Sequence, residues 1–262
     1  MRIMPKIAIV IPAHNEEKRI DITLKEYTSF FSDLMKKKKD IIIRIIVVLN
    51  ACKDKTPIIV KKYRSKYLES IEFERGGKGF AVIGGFKRAL SGNYDYIGFV
   101  DADMATRPEE FYRLFNKILQ NDGVIASRYL KGAKLHPKNT LARILASRFY
   151  NIFMRALLIM PYRDTQCGAK IFKRKAVEDV VDKIGMTSWA FDIELLYVMN
   201  KNNYKIKEEP TVWSNKDNSK INFWNSGIWM GFAILRLRIL NSPLKKMIRF
   251  YDKFIKLFKP SK

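Results

Sequence analysis

Cysteine and histidine are nearly absent from this chain: its 262 residues hold only Cys52, Cys167, His14 and His136. Two thiols cannot build a disulfide framework, and with two imidazoles a zinc cluster is not expected, so a reducing compartment is the simplest setting. Acidic residues are scarce beside basic ones, 26 against 50, which gives a formal net charge of +24 and a pI near 9.9. Long apolar runs are missing too. The longest uncharged stretch, 221–235, has 15 residues and includes Asn222, Asn225 and Ser226, whereas a membrane span needs about 20 predominantly apolar residues. The apolar stretch Ile7–Ile11 runs into Pro12 and is too short for the core of a signal peptide. No signal peptide and no clear spanning helix are therefore expected, and no repeat or low-complexity linker breaks the chain.

What is present is a foldable core. With 47% hydrophobic and 13% aromatic residues, disorder is excluded for the bulk of the chain. The positive excess then calls for a polyanionic partner: nucleic acid, an anionic membrane surface or a small polyanionic substrate.

Short apolar runs alternate with helical patterns through the first two thirds, the signature of α/β units on a mostly parallel sheet. Strands are expected at Lys6–Ile11, Ile41–Leu49, Ile71–Phe73, Tyr96–Val100 and Val124–Ala126. Between them, Ile20, Leu24, Tyr27, Phe31 and Leu34 form one helical face, and further helices are expected over 57–68, over 79–90 and from Pro108. Beyond 130 the pattern weakens: a helix over 141–160, strands at Ile171–Phe172 and Ile206–Val212, and a helix over 192–202. Residues 1–220 read as one domain and 221–262 as a tail. In that tail Leu244, Met247, Ile248, Tyr251, Ile255 and Phe258 line one helical face among Lys245, Lys246, Arg249, Lys253 and Lys256, a basic amphipathic helix. Ile221–Leu240, with Trp224, Trp229 and Phe232, is a second candidate for the membrane interface.

Asp101-Ala102-Asp103 ends an apolar strand, the place where open α/β sheets meet their ligands. Two carboxylates there suit Mg²⁺ or Mn²⁺, with substrate phosphates completing the coordination. Taken singly, such a D-x-D is more often a solvated loop. The surroundings are more specific: Pro12-Ala13-His14-Asn15-Glu16-Glu17 leaves the first strand, and Gly76-Gly77-Lys78-Gly79 opens a helix about twenty residues before the D-x-D. The glycines let backbone N–H groups approach phosphate, and Lys78 brings a charge to it.

This series resembles family 2 glycosyltransferases, inverting nucleotide-sugar enzymes of the GT-A fold. Asp164-Thr165-Gln166-Cys167-Gly168-Ala169-Lys170, Phe191-Asp192-Ile193-Glu194-Leu195-Leu196, and Trp213 followed by Ser219-Lys220-Ile221 resemble the dolichyl-phosphate glucosyltransferase branch. The resemblance covers about Ile7 to Ile221 and implies a mixed, mostly parallel sheet flanked by helices. It also implies transfer of a hexose, glucose first, from a UDP-sugar to a polyprenyl or dolichyl phosphate at the cytoplasmic face of a membrane, with a peripheral attachment. By the same resemblance, Pro12, Ala13, Asn15, Glu16, Asn50, Lys78, Asp101, Ala102 and Asp103 would bind the nucleotide sugar, with the metal on Asp101 and Asp103. Arg128, Arg143, Arg155 and Lys220 would meet phosphate, and Asp164, Thr165, Gln166 and Trp213 would line the sugar or acceptor pocket. Asp192 and Glu194 would serve the chemistry by orienting sugar hydroxyls or acceptor. Arg143, Ser147, Asn151 and Arg155 share one helical face, as in a similar pattern of the mannose branch. Two positions depart from the family: Leu49-Asn50-Ala51-Cys52 stands where D-D-G-S is common, and Ala105 where the mannose enzymes place a metal-binding Gln.

A phosphate acceptor is already close to doubly charged near neutral pH, so no general base is obligatory, and stabilising the departing diphosphate becomes the main task. Three other readings stand beside this one. A family 2 enzyme with a hydroxyl acceptor would need a base, with Asp192 as nominee. A nucleic-acid-binding protein is suggested by charge alone, without an RRM, KH or zinc-finger pattern, so nucleic acid is not an expected partner. A homologue that has lost its chemistry would fit the two departures.

Overall fold

The computed structural model describes residues 4–136, 141–185, 190–214 and 223–258. Its first half follows the alternation in the sequence: β1 (Lys6–Ala13), α1 (Ile20–Lys37), β2 (Ile42–Asn50), α2 (Thr56–Lys62), β3 (Leu68–Phe73), α3 (Lys78–Leu90), β4 (Tyr96–Val100), α4 (Pro108–Asn116) and β5 (Gly123–Ser127). The second half adds β6 (Lys134–His136), α5 (Leu141–Leu158), β7 (Ala169–Lys173), α6 (Arg174–Val180), α7 (Phe191–Lys201), β8 (Ile206–Pro210), β9 (Val212–Ser214), α8 (Phe223–Leu240) and α9 (Ile248–Phe258).

Seven strands form one sheet in the order β3-β2-β1-β4-β7-β5-β8. It is mostly parallel, and β7 alone runs against both its neighbours. Period-two alternation splits the side chains between two cores. Ile7, Ile9 and Ile11 of β1 face α1 and α4, whereas Ala8 and Val10 face α3 and the layer of α5, α6 and α7. Strands buried on both faces read as continuous apolar runs, which is why β1, β2 and β4 were legible.

Four expectations are corrected. The helix over 57–68 stops at Lys62; Ser65 and Leu68 then form a short bridge, and Leu68, fully buried, starts β3. The run Ile206–Val212 is two strands: β8 pairs with β5 in the main sheet as far as Pro210, the Val212 N–H then turns to Glu110, and β9 pairs with β6. The tail does not form a single helix from 244: Pro243–Met247 is a 3-10 turn capped by the Ser242 hydroxyl, and α9 starts at Ile248. The expected apolar face is also divided. Tyr251 donates to the Phe232 carbonyl of α8 at 2.7 Å and Asp252 pairs with Arg236, while Leu244, Met247, Phe250 and Phe254 are exposed. α8 itself enters the domain core through Ile234 and Leu237. No helix among the described residues is long and apolar enough to cross a membrane.

Candidate functional site

Strand order runs from β1 to β2 on one side and to β4 on the other, so the loops leaving β1 and β4 diverge and open a crevice. Asp101 stands at its edge, directly after β4. The loop it begins is held at every turn. The Asp101 N–H donates to Gly168 O at 3.0 Å, Thr23 Oγ1 to Ala102 O at 2.7 Å, Tyr27 OH to Thr106 O at 2.9 Å and the Ser214 N–H to Ala105 O at 3.0 Å. Asp103 accepts from the Ala105 N–H at 3.0 Å. Asn15, Ala51 and Met104, in the loops after β1, β2 and β4, all have left-handed φ, at 53°, 48° and 60°. Each such residue costs about 1–3 kcal/mol, and strain of this kind gathers at ligand sites.

A network of two lysines and two aspartates fills the floor. Lys78 Nζ lies 2.8 Å from Asp101 Oδ1 and 3.0 Å from Asp192 Oδ2; Lys170 Nζ lies 2.6 Å from Asp192 Oδ1 and 2.6 Å from Cys167 O. Two glycines make the encounter possible. Gly77 turns with φ 127° into α3, and a Cβ on Gly79 would stand 2.7 Å from the Phe191 Cβ, so α3 closes on the first turn of α7 and brings Lys78 to Asp192. Lys170 comes from β7, whose antiparallel insertion beside β4 places it against the Phe99 ring. Burial alone would lower the Lys78 pKa, but Asp101 and Asp192 together raise it. Burial would likewise raise Asp192, yet Lys170 and Lys78 hold its carboxyl below the usual carboxylate range. Asp101 is raised chiefly by burial; Lys78 opposes the rise, and the neighbouring charges of Asp103 and Asp192 add to it.

Three carboxylates, those of Asp101, Asp103 and Asp192, thus share two ammonium groups, and the excess of negative charge fits a divalent cation. Asp101 and Asp103 are the hard oxygen donors available. Among the described residues no group of three or more His, Cys, Asp or Glu forms a metal cage, so a bound ion would draw its remaining ligands from substrate and water, as Mg²⁺ commonly does.

A second ion pair lies beside this network. Asp164, fully buried, accepts from Arg128 N, Nε and Nη2 at 2.8, 2.8 and 2.9 Å. The guanidinium lies 5.1 Å from the Trp213 ring and 5.7 Å from that of Tyr129. Glu208 accepts from the N–H groups of Arg163 and Asp164, both at 2.8 Å, fixing the loop that carries them. Between the two clusters sits Cys167, whose thiol is pushed up to about 12 by burial and then by Asp164; it is no nucleophile.

The family model for Glycosyl transferase family 2 matches residues 8–181. A dolichyl-phosphate beta-glucosyltransferase of Dictyostelium discoideum is 31% identical over 243 residues, covering 88% of this chain and 73% of the relative. This chain is a family 2 glycosyltransferase. A dolichyl-phosphate beta-glucosyltransferase of Homo sapiens is 30% identical over 251 residues, covering 89% of this chain and 75% of the relative. Among solved structures, glucosyl-3-phosphoglycerate synthase from Mycobacterium tuberculosis, in complex with Mn²⁺, UDP and glucosyl-3-phosphoglycerate, superposes with a TM-score of 0.66 at 16% identity, covering 89% of this chain and 80% of that one. The fold of the glycosyltransferase is thus of the expected GT-A type.

The glycosyltransferase brings most of the nominated residues together, several of them already engaged. Asn15 Oδ1 accepts from the Lys53 N–H at 2.8 Å, and Glu16 is bound to Arg19 at 2.6 and 2.7 Å. Asn50 is buried at the end of β2, its carbonyl 2.6 Å from His14 Nδ1 and its Oδ1 without a partner among the described residues. Pro12, Ala13 and Ala102 form the backbone of the crevice. Thr165 is buried, and Gln166 donates its N–H to Asp164 at 3.3 Å. Glu194 points away toward the Gly185 N–H, which it accepts at 3.0 Å. Arg155 lies elsewhere: it lines a groove with Ile152, Ile159 and Asn200, and Asn200 is eight residues along α7 from Asp192, about 12 Å at 1.5 Å per residue. Lys220 and the side chain of Arg143 lie outside the described residues.

Sequence reasoning missed Thr23, Tyr27, Glu208 and the role of Lys170. A lysine inside the apolar run of β7 and a tyrosine on the buried face of α1 were the available signals.

Proposed function

We propose that this glycosyltransferase moves glucose from UDP-glucose to the phosphate of a dolichyl or polyprenyl phosphate, with inversion at the sugar carbon. The observation that carries this reading is the state of Asp192. Both its oxygens are taken by ammonium groups and its carboxyl is held low, which makes it a poor general base. A hydroxyl acceptor would require a base at this place; a phosphate acceptor does not. Both relatives described above are named for dolichyl phosphate and glucose, and the fold neighbour holds UDP and Mn²⁺.

In this reading an acceptor phosphate oxygen attacks the anomeric carbon from the face opposite the diphosphate. The new carbon–oxygen bond forms as the bond to the diphosphate breaks, and no proton need be removed from the acceptor. Asp101 and Asp103 would hold Mg²⁺ or Mn²⁺, which when bound supplies positive charge for the departing diphosphate. The loop after β4, pinned by Thr23, Tyr27 and Ser214, pre-sets both carboxylates and so limits reorganisation during reaction. Arg128 is held by Asp164 through Nε and Nη2, and Nη1, which has no bond to another described residue, would meet phosphate. Asn50 would meet the donor base with its unpaired carbonyl oxygen, in place of the family's acidic residue.

The same reading puts residues 1–220 to catalysis and 221–262 to membrane attachment at the cytoplasmic face, with α5 joining the contact. Of thirteen exposed large apolar side chains among the described residues, eight lie on or beside α5, α8 and α9: Ile152, Phe153, Ile159, Leu235, Leu244, Met247, Phe250 and Phe254. These three helices and the turn between α8 and α9 carry ten basic residues and one acidic one. Apolar side chains ringed by Lys and Arg suit an anionic bilayer and disfavour a second copy of the same charge. The test of function is thermal stabilisation by UDP-, GDP-, CDP- and dTDP-sugars with Mn²⁺ or Mg²⁺, followed by transfer of labelled sugar. Stabilisation by UDP-glucose and solvent-extractable label on short-chain polyprenyl phosphate are expected. Stabilisation by another sugar alone, or label on free saccharides alone, overturns the proposal.

A further inference from the structure

The ion network contains an asymmetry. Lys170 is fully buried and fixed by Asp192 Oδ1 and Cys167 O, whereas the side chain of Lys78 is 35% exposed and reaches from Asp192 Oδ2 to Asp101 Oδ1. One lysine is an anchor; the other stands at the mouth. Asp101 has little freedom to answer a new ligand. Its Oδ2 occupies the space a side chain on residue 168 would fill, 1.8 Å from where a Cβ on Gly168 would stand. Oδ1, the oxygen turned from that wall, is the one Lys78 holds. Asp103 has no ion-pair partner among the described residues, and Glu16 is already neutralised by Arg19.

We propose that Lys78 is the resident counter-cation of this cleft, competing with a divalent ion for Asp101 Oδ1. When displaced it stays tethered to Asp192, which Lys170 fixes, and its released N–H groups turn to the diphosphate of the donor. Lys78 therefore opposes metal binding in the free protein and promotes donor binding in the metal-loaded one. The exchange keeps Asp101 compensated in both states. It rests on the proposed metal reading of Asp101 and Asp103, and its test separates the two.

Mn²⁺ binding to the full chain without donor is measured by calorimetry, or by the electron paramagnetic resonance signal of free Mn²⁺. UDP-glucose binding is then measured at saturating Mn²⁺. Lys78→Gln should tighten Mn²⁺ binding by roughly 5-fold or more, the lower end of ordinary site–site coupling, and weaken UDP-glucose binding. Lys78→Arg, which keeps the charge, should leave Mn²⁺ affinity near that of the unaltered protein and controls for folding. Asp192→Asn removes the tether, so Lys78 should close on Asp101 alone and weaken Mn²⁺ binding; combined with Lys78→Gln, that weakening should largely disappear. A lysine that merely supports the fold would weaken both ligands on substitution, and one that only grips phosphate would weaken the donor alone. Mn²⁺ affinity unchanged or lowered in Lys78→Gln overturns the counter-cation role while leaving the metal site standing. No Mn²⁺ binding to any of the proteins overturns both.

Discussion

Replacing Asp192 by asparagine removes a negative charge from a place where a lysine cannot reach water. Lys170 is fully buried on the α7 side of the sheet and its partners are Asp192 Oδ1 and the Cys167 carbonyl. Breaking a buried pair by neutralising one member costs about 3–5 kcal/mol, because the other charge is left unpaired. Asparagine retains an acceptor oxygen, which places the expected loss at the lower end, about 3 kcal/mol. For a chain of this size each kcal/mol moves the melting midpoint by about 2–4 °C, so a fall of about 6–12 °C is expected. Lys170→Met alone should cost less, since Asp192 keeps Lys78 at 3.0 Å. Adding Lys170→Met to Asp192→Asn should recover more than half of the loss, because the stranded charge is gone. Urea unfolding of the four proteins at one pH gives the comparison as a double-mutant cycle. A loss below about 1 kcal/mol for Asp192→Asn, or a double variant no more stable than the sum of the singles, would refute the buried-pair reasoning.

Gly168→Ala should displace Asp101, since the added methyl would stand 1.8 Å from Asp101 Oδ2; overpacking of this kind costs about 1–3 kcal/mol, and calorimetry should show Mn²⁺ binding lost while circular dichroism keeps the fold, whereas normal Mn²⁺ binding would contradict the placement. Phe250→Ser with Phe254→Ser should reduce recovery on anionic vesicles by at least about tenfold, each phenylalanine contributing about 1.5–3 kcal/mol if fully buried, and Tyr251→Phe, altered on the face toward α8, should change recovery little. Acid stability carries a sign that follows from two carboxyls. Asp164, which burial would raise, is held low by Arg128, and Asp192 is held low by the two lysines; their contribution is complete above the unfolded aspartate value of about 3.9 and is lost as pH falls below it through the lower folded values. Urea midpoints should therefore fall below about pH 4 less steeply in Asp164→Asn than in the unaltered protein, and parallel slopes would dismiss the pairing.

Strands β1, β2 and β4 were readable because each is an apolar run that stops at polar residues, and a strand buried on both faces needs no partner to be recognised. α6 and β6 were not, being short and decided by docking on distant segments. The D-x-D, the glycine turn and the F-D-x-E-L-L segment located the crevice because each is local. What they do to one another was not legible. Lys78, Asp101, Asp192 and Lys170 meet only because β7 inserts antiparallel beside β4 and because Gly79 lets α3 close on Phe191, both long-range events. Arg128 illustrates the same limit: a basic residue after a strand suggests phosphate, but its bond to Asp164 depends on a loop that Glu208 holds from β8. In the tail, spacings of three and four allowed two apolar faces, and the packing of Tyr251 and Asp252 on α8 chose between them.

The claim that the acceptor is a phosphate, and that Asp192 is consequently no base, is tested most directly by offering one lipid in two forms. Labelled UDP-glucose is supplied with a short-chain polyprenyl phosphate and, separately, with the matching polyprenyl alcohol, each with Mn²⁺, and solvent-extractable label is counted. Label on the phosphate and none on the alcohol is predicted; transfer to the alcohol at a comparable rate would contradict it.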